Sequence, residues 1–297
     1  MLLPEMNQPI GASELIITPK GTIYHLDLHP DQLADTIITV GDPDRVGTVS
    51  QYFDHIEHRA QHREFVSHTG RIGNKKISVV STGIGPDNID IVLNELDALV
   101  NIDFETRTIR EEKKSLSIIR LGTSGSLQRD IPVDSFVVSS FAIGLDNLMH
   151  YYQHDANPEE SFMLGEFEQH IGLNGRKLAP YLAEGSIRLR NHFTENYHSG
   201  ITVTCPGFYG PQGRVLRAPV AMPALIDALT TFSSRDHRIT NFEMETSAIY
   251  GLGRLLGHHC LSISAIVANR IQKTFSADGG LAVDRMIRQS LAIIEKI

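Results

Sequence analysis

Three arginines stand beside glycines at the ends of apolar runs. Gly41-Asp-Pro-Asp-Arg45 follows the β-branched run Thr36–Val40. Gly41 would let the backbone approach an anion closely. Arg45 would fall in the first turn of the next helix, where the partial positive charge also favours an anion. In Arg120-Leu-Gly-Thr-Ser-Gly125 a second arginine lies within a strand next to a Gly-Thr turn, and Arg63 is a third, in Gln61-His-Arg-Glu-Phe65. Any one alone reads as a surface arginine in an ordinary ion pair. Together with the Gly/Thr turns, the three suit inorganic phosphate, whose oxygens match the guanidinium fork.

Other chemistries lack their residues. The chain has no G-x-x-x-x-G-K-[ST] for a nucleotide P-loop, and after Gly83-Ile-Gly85 the third glycine of a dinucleotide fingerprint is replaced by Asn88. His55, His58 and His62 cluster without H-E-x-x-H spacing or a second half for a metal site, and with 14 histidines the cluster reads as chance. Gly122-Thr-Ser-Gly125 is not a nucleophile elbow.

The frame that must position the arginines is an α/β one. Strand-like runs at Thr36–Val40, Lys76–Val80, Ser117–Leu121, Val137–Ser140, Ile201–Thr204 and Cys260–Val267 alternate with helical stripes. The helical stretches are Asn88–Val100, Glu243–Leu256 and Leu281–Ile297. This alternation predicts one α/β domain, residues 23–297, with a mainly parallel or mixed sheet, preceded by an N-terminal arm over residues 1–22. The mixed-sign stretch Arg107–Lys114 reads as a solvated helix end or loop.

With 297 residues, 27 Lys+Arg against 35 Asp+Glu and a net charge of -8, the chain has no basic face for nucleic acid. It has neither an apolar run long enough for a membrane helix nor a signal-like start. Cys205 and Cys260 make no disulfide framework. A reducing cytoplasm is the expected compartment.

A longer series of motifs runs in order: Tyr24-His-Leu-Asp-Leu28, Val40-Gly-Asp-Pro-Asp-Arg-Val46, His62-Arg-Glu-Phe65 and Ser81-Thr-Gly-Ile-Gly85 come first. Ile119-Arg-Leu-Gly-Thr-Ser-Gly125, Phe208-Tyr-Gly-Pro-Gln-Gly-Arg214, Asn241-Phe-Glu-Met-Glu-Thr246 and Ala268-Asn-Arg270 follow. Over residues 23–272 this series resembles the uridine phosphorylases of nucleoside phosphorylase family I. The resemblance implies a mixed, partly barrel-like β-sheet flanked by helices, and phosphorolysis of uridine to uracil and ribose 1-phosphate. It implies no cofactor, with phosphate as co-substrate, and a homo-oligomer whose active sites are shared between two subunits.

By that resemblance Gly41, Arg45, Arg120 and Thr123 would hold phosphate, joined by Arg63 from a neighbouring subunit. His25, also from the neighbour, would contact the ribose 5′-hydroxyl. Met244 and Glu245 would take the ribose beside Thr123, and the charge of Glu245 would favour an oxocarbenium-like state. Phe208 would stack on the base. Gln212 and Arg214, two apart in a Gly/Pro-rich loop, would read it: the amide supplies an acceptor and two donors, and arginine donors only. That set suits the N3–H and carbonyls of uracil, with Arg214 stabilising charge at O4.

Arg120, Arg214 and Glu245 are thus the expected catalytic residues. Purine phosphorylases of the family carry an aspartate near residue 269, where this chain reads Ile266-Val-Ala-Asn-Arg270. A potassium ion near Glu64 and Asn88 is a further implication, although Pro86-Asp-Asn88 departs from the usual pattern. The arm and the long insertion Asn101–Ser117 are extra relative to compact members. Three alternatives stay open: a purine or broad-specificity phosphorylase, a nucleosidase using water, and a nucleoside-binding homologue without turnover.

Overall fold

In the computed structural model, which describes residues 8–172 and 178–297, every expected strand is present and most run further than their apolar stretch. The first half comprises β1 (Thr36–Val40), α1 (Pro43–Ser50), β2 (His55–His62), β3 (Phe65–Ile72), β4 (Lys75–Ser81) and α2 (Pro86–Asn101). The short β5 (Ile102–Asp103) and β6 (Thr108–Ile109) follow, then β7 (Ser117–Ser126) and β8 (Phe136–Gly144). Next come α3 (Pro158–Ile171), β9 (Tyr181–Glu184), α4 (Ile187–Arg190), β10 (His198–Thr204) and α5 (Leu225–Thr231). The chain closes with β11 (Ser233–Ser234), β12 (His237–Glu243), α6 (Thr246–Leu255), β13 (His259–Asn269), β14 (Thr274–Phe275) and α7 (Gly279–Ile294).

Twelve strands form one mixed sheet in the order β11-β12-β10-β8-β13-β7-β1-β4-β3-β2. β9 and β14 branch from β8 and β13. An antiparallel pairing of β12 with β7 through Phe242–Gly125 and Asn241–Ser126 brings the chain of strands back on itself. Strands β12, β10, β8, β13 and β7 therefore make a five-strand partial barrel, and β1, β4, β3 and β2 extend from it as an open wing.

Helices cover both faces, as a sheet apolar on both sides requires. α2 and α6 bury Leu93, Leu96, Ile249 and Leu252 against one side, while α1 and α7 bury Val46, Met286, Ile287 and Leu291 against the other. α3 and α5 close the outside of the barrel with Met163, Phe167 and Leu229. No helix among the described residues is long and apolar enough to cross a membrane.

Residues 1–7 of the expected arm lie outside the described residues. The remainder lies against the body: Leu15 is buried, and Arg107 donates to the carbonyls of Ile10, Gly11 and Leu15. The Ile10 amide donates to the Arg107 carbonyl. The arm and the long insertion, both extra in the sequence, thus hold each other.

Two local expectations need correction. Gly122 and Thr123 form no turn, because β7 runs straight through them to Ser126. A Cβ on Gly122 would lie 2.0 Å from the Arg120 Nη1, so the glycine is needed for a guanidinium that folds across its strand. The helix read from Glu243 begins only at Thr246, with Glu243 ending β12. The histidine cluster belongs to β2, an edge strand whose residues alternate between exposed and half-buried.

Candidate functional site

Parallel strands deliver their carboxyl ends to one side of the sheet, where α/β folds bind ligands. There Gly41 follows β1, Thr123 lies near the end of β7, and Glu243, Met244 and Glu245 link β12 to α6. A cavity of about 610 Å³ opens between these ends. Nine of the expected site residues line it: Gly41, Arg45, Arg120, Thr123, Phe208, Gln212, Arg214, Met244 and Glu245. His25, Arg63, Glu64 and Asn88 of the same chain are not among its lining residues.

Asp42 caps α1 by accepting from the Asp44 amide at 3.0 Å, and Pro43 supplies the preset first turn. Arg45 is thereby fixed one turn in, facing the cavity. Burial and the like charge of Arg120 hold its pKa below the usual value, with Asp42 and Glu245 opposing. Arg45 has no carboxylate within salt-bridge distance among the described residues, which leaves its guanidinium available to an anion.

Arg120 is 6% exposed and lies between two carboxylates, with Nη2 2.6 Å from Glu245 and 3.1 Å from Glu243. Burial alone would depress its pKa, but the two carboxylates outweigh that and raise it. Glu245 is 4% exposed and also accepts from the Gly85 amide at 2.9 Å. Gly85 has φ +100, a conformation that favours glycine, and it precedes α2. Burial lifts the Glu245 pKa; Arg120 opposes the rise and the like charge of Glu243 adds to it.

Glu243 was not anticipated. Its carboxylate accepts from Thr204 Oγ1 at 2.7 Å, from the Glu245 amide at 2.9 Å and from the Thr246 amide at 3.0 Å. It therefore caps α6 and braces Arg120 at once. The signal was present in the i, i+2 spacing of Glu243 and Glu245, which puts both on one face of an extended segment.

Arg214 donates from Nη1 to Gln212 Oε1 at 2.5 Å and to the Phe208 carbonyl at 2.7 Å. Its Cζ lies 3.7 Å from the centroid of the half-exposed Phe208 ring. Phe208, expected to stack on a base, thus has one face covered by Arg214. Arg270, quoted in a motif but given no role, donates to the Gln212 carbonyl at 3.0 Å and holds this loop to β13. Burial, together with Arg270, lowers the Arg214 pKa.

Asn269, where purine enzymes of the resembled family carry an aspartate, is engaged elsewhere. Its amide donates to the Gln128 and Ile131 carbonyls, and its oxygen accepts from the Ile271 and Gln272 amides. Only Val267 and Ala268 of that segment line the cavity.

A second cavity of about 580 Å³ lies against the 206–222 loop, lined by Pro206, Pro211, Leu216, Pro219 and Met222. It presents no carboxylate and shares Arg214 with the first. The buried ionic chemistry belongs to the first cavity. No group of three or more His, Cys, Asp or Glu suited to a metal occurs among the described residues.

A cavity at the carboxyl ends of a partial barrel, lined by Arg45 and Arg120, two buried carboxylates and an amide–guanidinium pair, has groups that can meet an anion and a polar flat ligand. The family model described as the phosphorylase superfamily matches residues 35–295, and the chain belongs to that superfamily. It is similar to the uridine phosphorylase of Thermococcus kodakarensis, at 28% identity over 88% of this chain and 83% of the relative. The uridine phosphorylase of Haemophilus influenzae is 27% identical over 84% of this chain and 88% of the relative. Among solved structures, a Trypanosoma brucei nucleoside phosphorylase described as showing uridine phosphorylase activity superposes with a TM-score of 0.86. It is 30% identical, and the match covers 94% of this chain and 98% of that one.

Proposed function

We propose that this chain catalyses the reversible phosphorolysis of uridine to uracil and ribose 1-phosphate. The observation that carries the reading is one cavity lined both by Arg45 and Arg120 and by the Gln212–Arg214 pair. A phosphate oxygen attacks C1′ of the ribose while the C1′–N1 bond breaks and its electron pair leaves with the base. Positive charge grows on the sugar and negative charge on uracil.

Gly41, Arg45, Arg120 and Thr123 hold the nucleophile, and Glu245 with Met244 holds the sugar. The Glu245 carboxylate accepts from the 2′- and 3′-hydroxyls and offsets the sugar's charge. Gln212 and Arg214 bind the uracil edge and stabilise the charge that reaches it, with Phe208 beside the ring. Catalysis is then positioning plus electrostatic stabilisation by groups already fixed in the fold. The absence of a carboxylate from the Val267–Ala268 wall favours a pyrimidine over a purine.

His25 and Arg63 lie away from their own chain's cavity, so the reading has a second copy of the chain supply them. The mouth has apolar residues to cover, Ile84, Phe208 and Phe275 being 66%, 50% and 74% exposed. A monomer would then be inactive, which size measurement paired with activity tests. Glu64 and Asn88 both approach Gly83, Asn88 with its amide nitrogen, so a carboxylate and, after rotation of the amide, one amide oxygen are at hand. These hard donors suit a potassium ion in kind, completed from the second copy. Two buried free cysteines accord with a cytoplasmic setting.

The test is an assay of uridine, thymidine and inosine, each with and without phosphate. Phosphate-dependent release of uracil, with inosine poor, supports the reading. Release of base without phosphate would convert it to a nucleosidase, and preference for inosine to a purine enzyme.

A further inference from the structure

Glu95, on α2, was given no role by any motif, yet it is the main polar partner of the segment that carries His25. Its side chain is 12% exposed and lies 2.7 Å from the His25 Nδ1, through Oε1. The His25 amide donates to both carboxylate oxygens at 3.0 Å, and the Leu26 amide donates to Oε2 at 2.9 Å. One carboxylate therefore holds the backbone of two consecutive residues and the ring of the first. The ring is also bounded edge-on by Tyr24 and Phe65, with centroids 4.8 and 6.0 Å away.

An ionised carboxylate accepts hydrogen bonds and donates none, so Nδ1 must carry the proton. In the neutral ring Nε2 is then an acceptor, and it has no hydrogen-bond partner among the described residues. A carboxylate behind one imidazole nitrogen is a general way to set the tautomer and aim the other nitrogen.

We propose that Glu95 is a positioning residue: it locks His25 as the Nδ1–H tautomer and presents Nε2 to accept a hydrogen bond from the 5′-hydroxyl of a nucleoside bound in a second copy. The inference rests on the reading of His25 as the residue that meets that hydroxyl. It adds the direction of the hydrogen bond and the residue that sets it.

A purely structural role for Glu95 would require only that it bind the two backbone amides, and glutamine keeps an oxygen for that. The amide NH2 of glutamine, however, donates to Nδ1 and so moves the ring proton to Nε2. The experiment compares kcat/KM for uridine and for 5′-deoxyuridine in the wild type, His25→Ala and Glu95→Gln. It is paired with a long-range 15N–1H correlation spectrum of His25 in the wild-type assembly.

The expected wild-type preference for uridine is about 10-fold, the size of one hydrogen bond. It should fall towards unity in both variants, and the wild-type spectrum should show the proton on Nδ1. Loss of the preference in His25→Ala but not in Glu95→Gln would overturn the role of Glu95 while leaving that of His25. No preference in the wild type, or one that survives His25→Ala, would overturn the reading of His25 and the proposal with it. Should Glu95→Gln fail to fold, the wild-type spectrum decides alone: a proton on Nε2 overturns the proposal.

Discussion

Arg120 and Glu245 form a buried ion pair, Nη2 to Oε2 at 2.6 Å, in which the residue read as a phosphate ligand grips the one read as a ribose ligand. Neither site is therefore independent. On the proposed reading, a phosphate that drew on Arg120 would loosen its hold on Glu245 and leave that carboxylate freer to accept the ribose hydroxyls. Gly85 and Glu243 keep the pair in place while it is shared.

Arg120→Ala removes the only counter-charge within salt-bridge distance of Glu243 and Glu245 among the described residues. Two buried carboxylates without a partner should cost about 3–5 kcal/mol of folding stability. Denaturant unfolding should show that loss, and kcat/KM for phosphate should fall far more than kcat/KM changes for a surface arginine.

Gly122→Ala tests the same group without deleting it. The new methyl would meet the Arg120 guanidinium, which two carboxylates hold in place. The variant should fold, with circular dichroism unchanged, yet lose about 100-fold in kcat/KM for phosphate because a displacement near 1 Å is enough. Unchanged kinetics would mean that Arg120 need not cross Gly122 in turnover.

Glu243→Gln addresses pH. Burial raises the Glu245 pKa, Arg120 opposes that, and the Glu243 charge adds to it. Glu245 must be ionised to accept two hydroxyls, so activity should fall on the acid side at a pH above the ordinary carboxylate range. Removing the like charge lets Glu245 ionise more readily. The acid limb of kcat/KM for uridine, followed at constant phosphate dianion, should therefore move to lower pH.

Gln212→Ala should lower kcat/KM for uridine by about 10- to 100-fold, the loss of one or two hydrogen bonds to a charged leaving base. Phosphate affinity should hardly change, since the hydrogen-bond partners of Gln212 are Arg214 and Arg270 and not Arg45 or Arg120. Equal loss of phosphate binding would show that the loop had collapsed.

The sequence announced the end of β1, where an apolar β-branched run stops at glycine, and the start of β7 but not its end, since β7 continues through Gly122 to Ser126; Arg45 and Arg120 came with these runs. It did not announce β2, whose apolar residues in His55–His62 are only Ile56 and Ala60, too few for an alternating signal on an edge strand. Glu243 was hidden because Met244, Ala248 and Leu252 continue a helical stripe backwards into what is the end of β12. Thr123 lines the cavity although the turn expected there is a continuous strand, since nothing local tells a turn glycine from one that clears a guanidinium. The roles proposed for His25 and Arg63 rest on family resemblance alone, because no pattern within one chain shows what a second copy would contribute.

The central claim is that Arg45 and Arg120, with Arg63 from a second copy, cage an oxyanion at one end of the cavity. A crystal structure grown with phosphate tests it directly. The anion should sit against Gly41, Arg45, Arg120 and Thr123 with a second chain's Arg63 reaching it. An anion bound elsewhere, with those three arginines directed to separate places, would contradict the account.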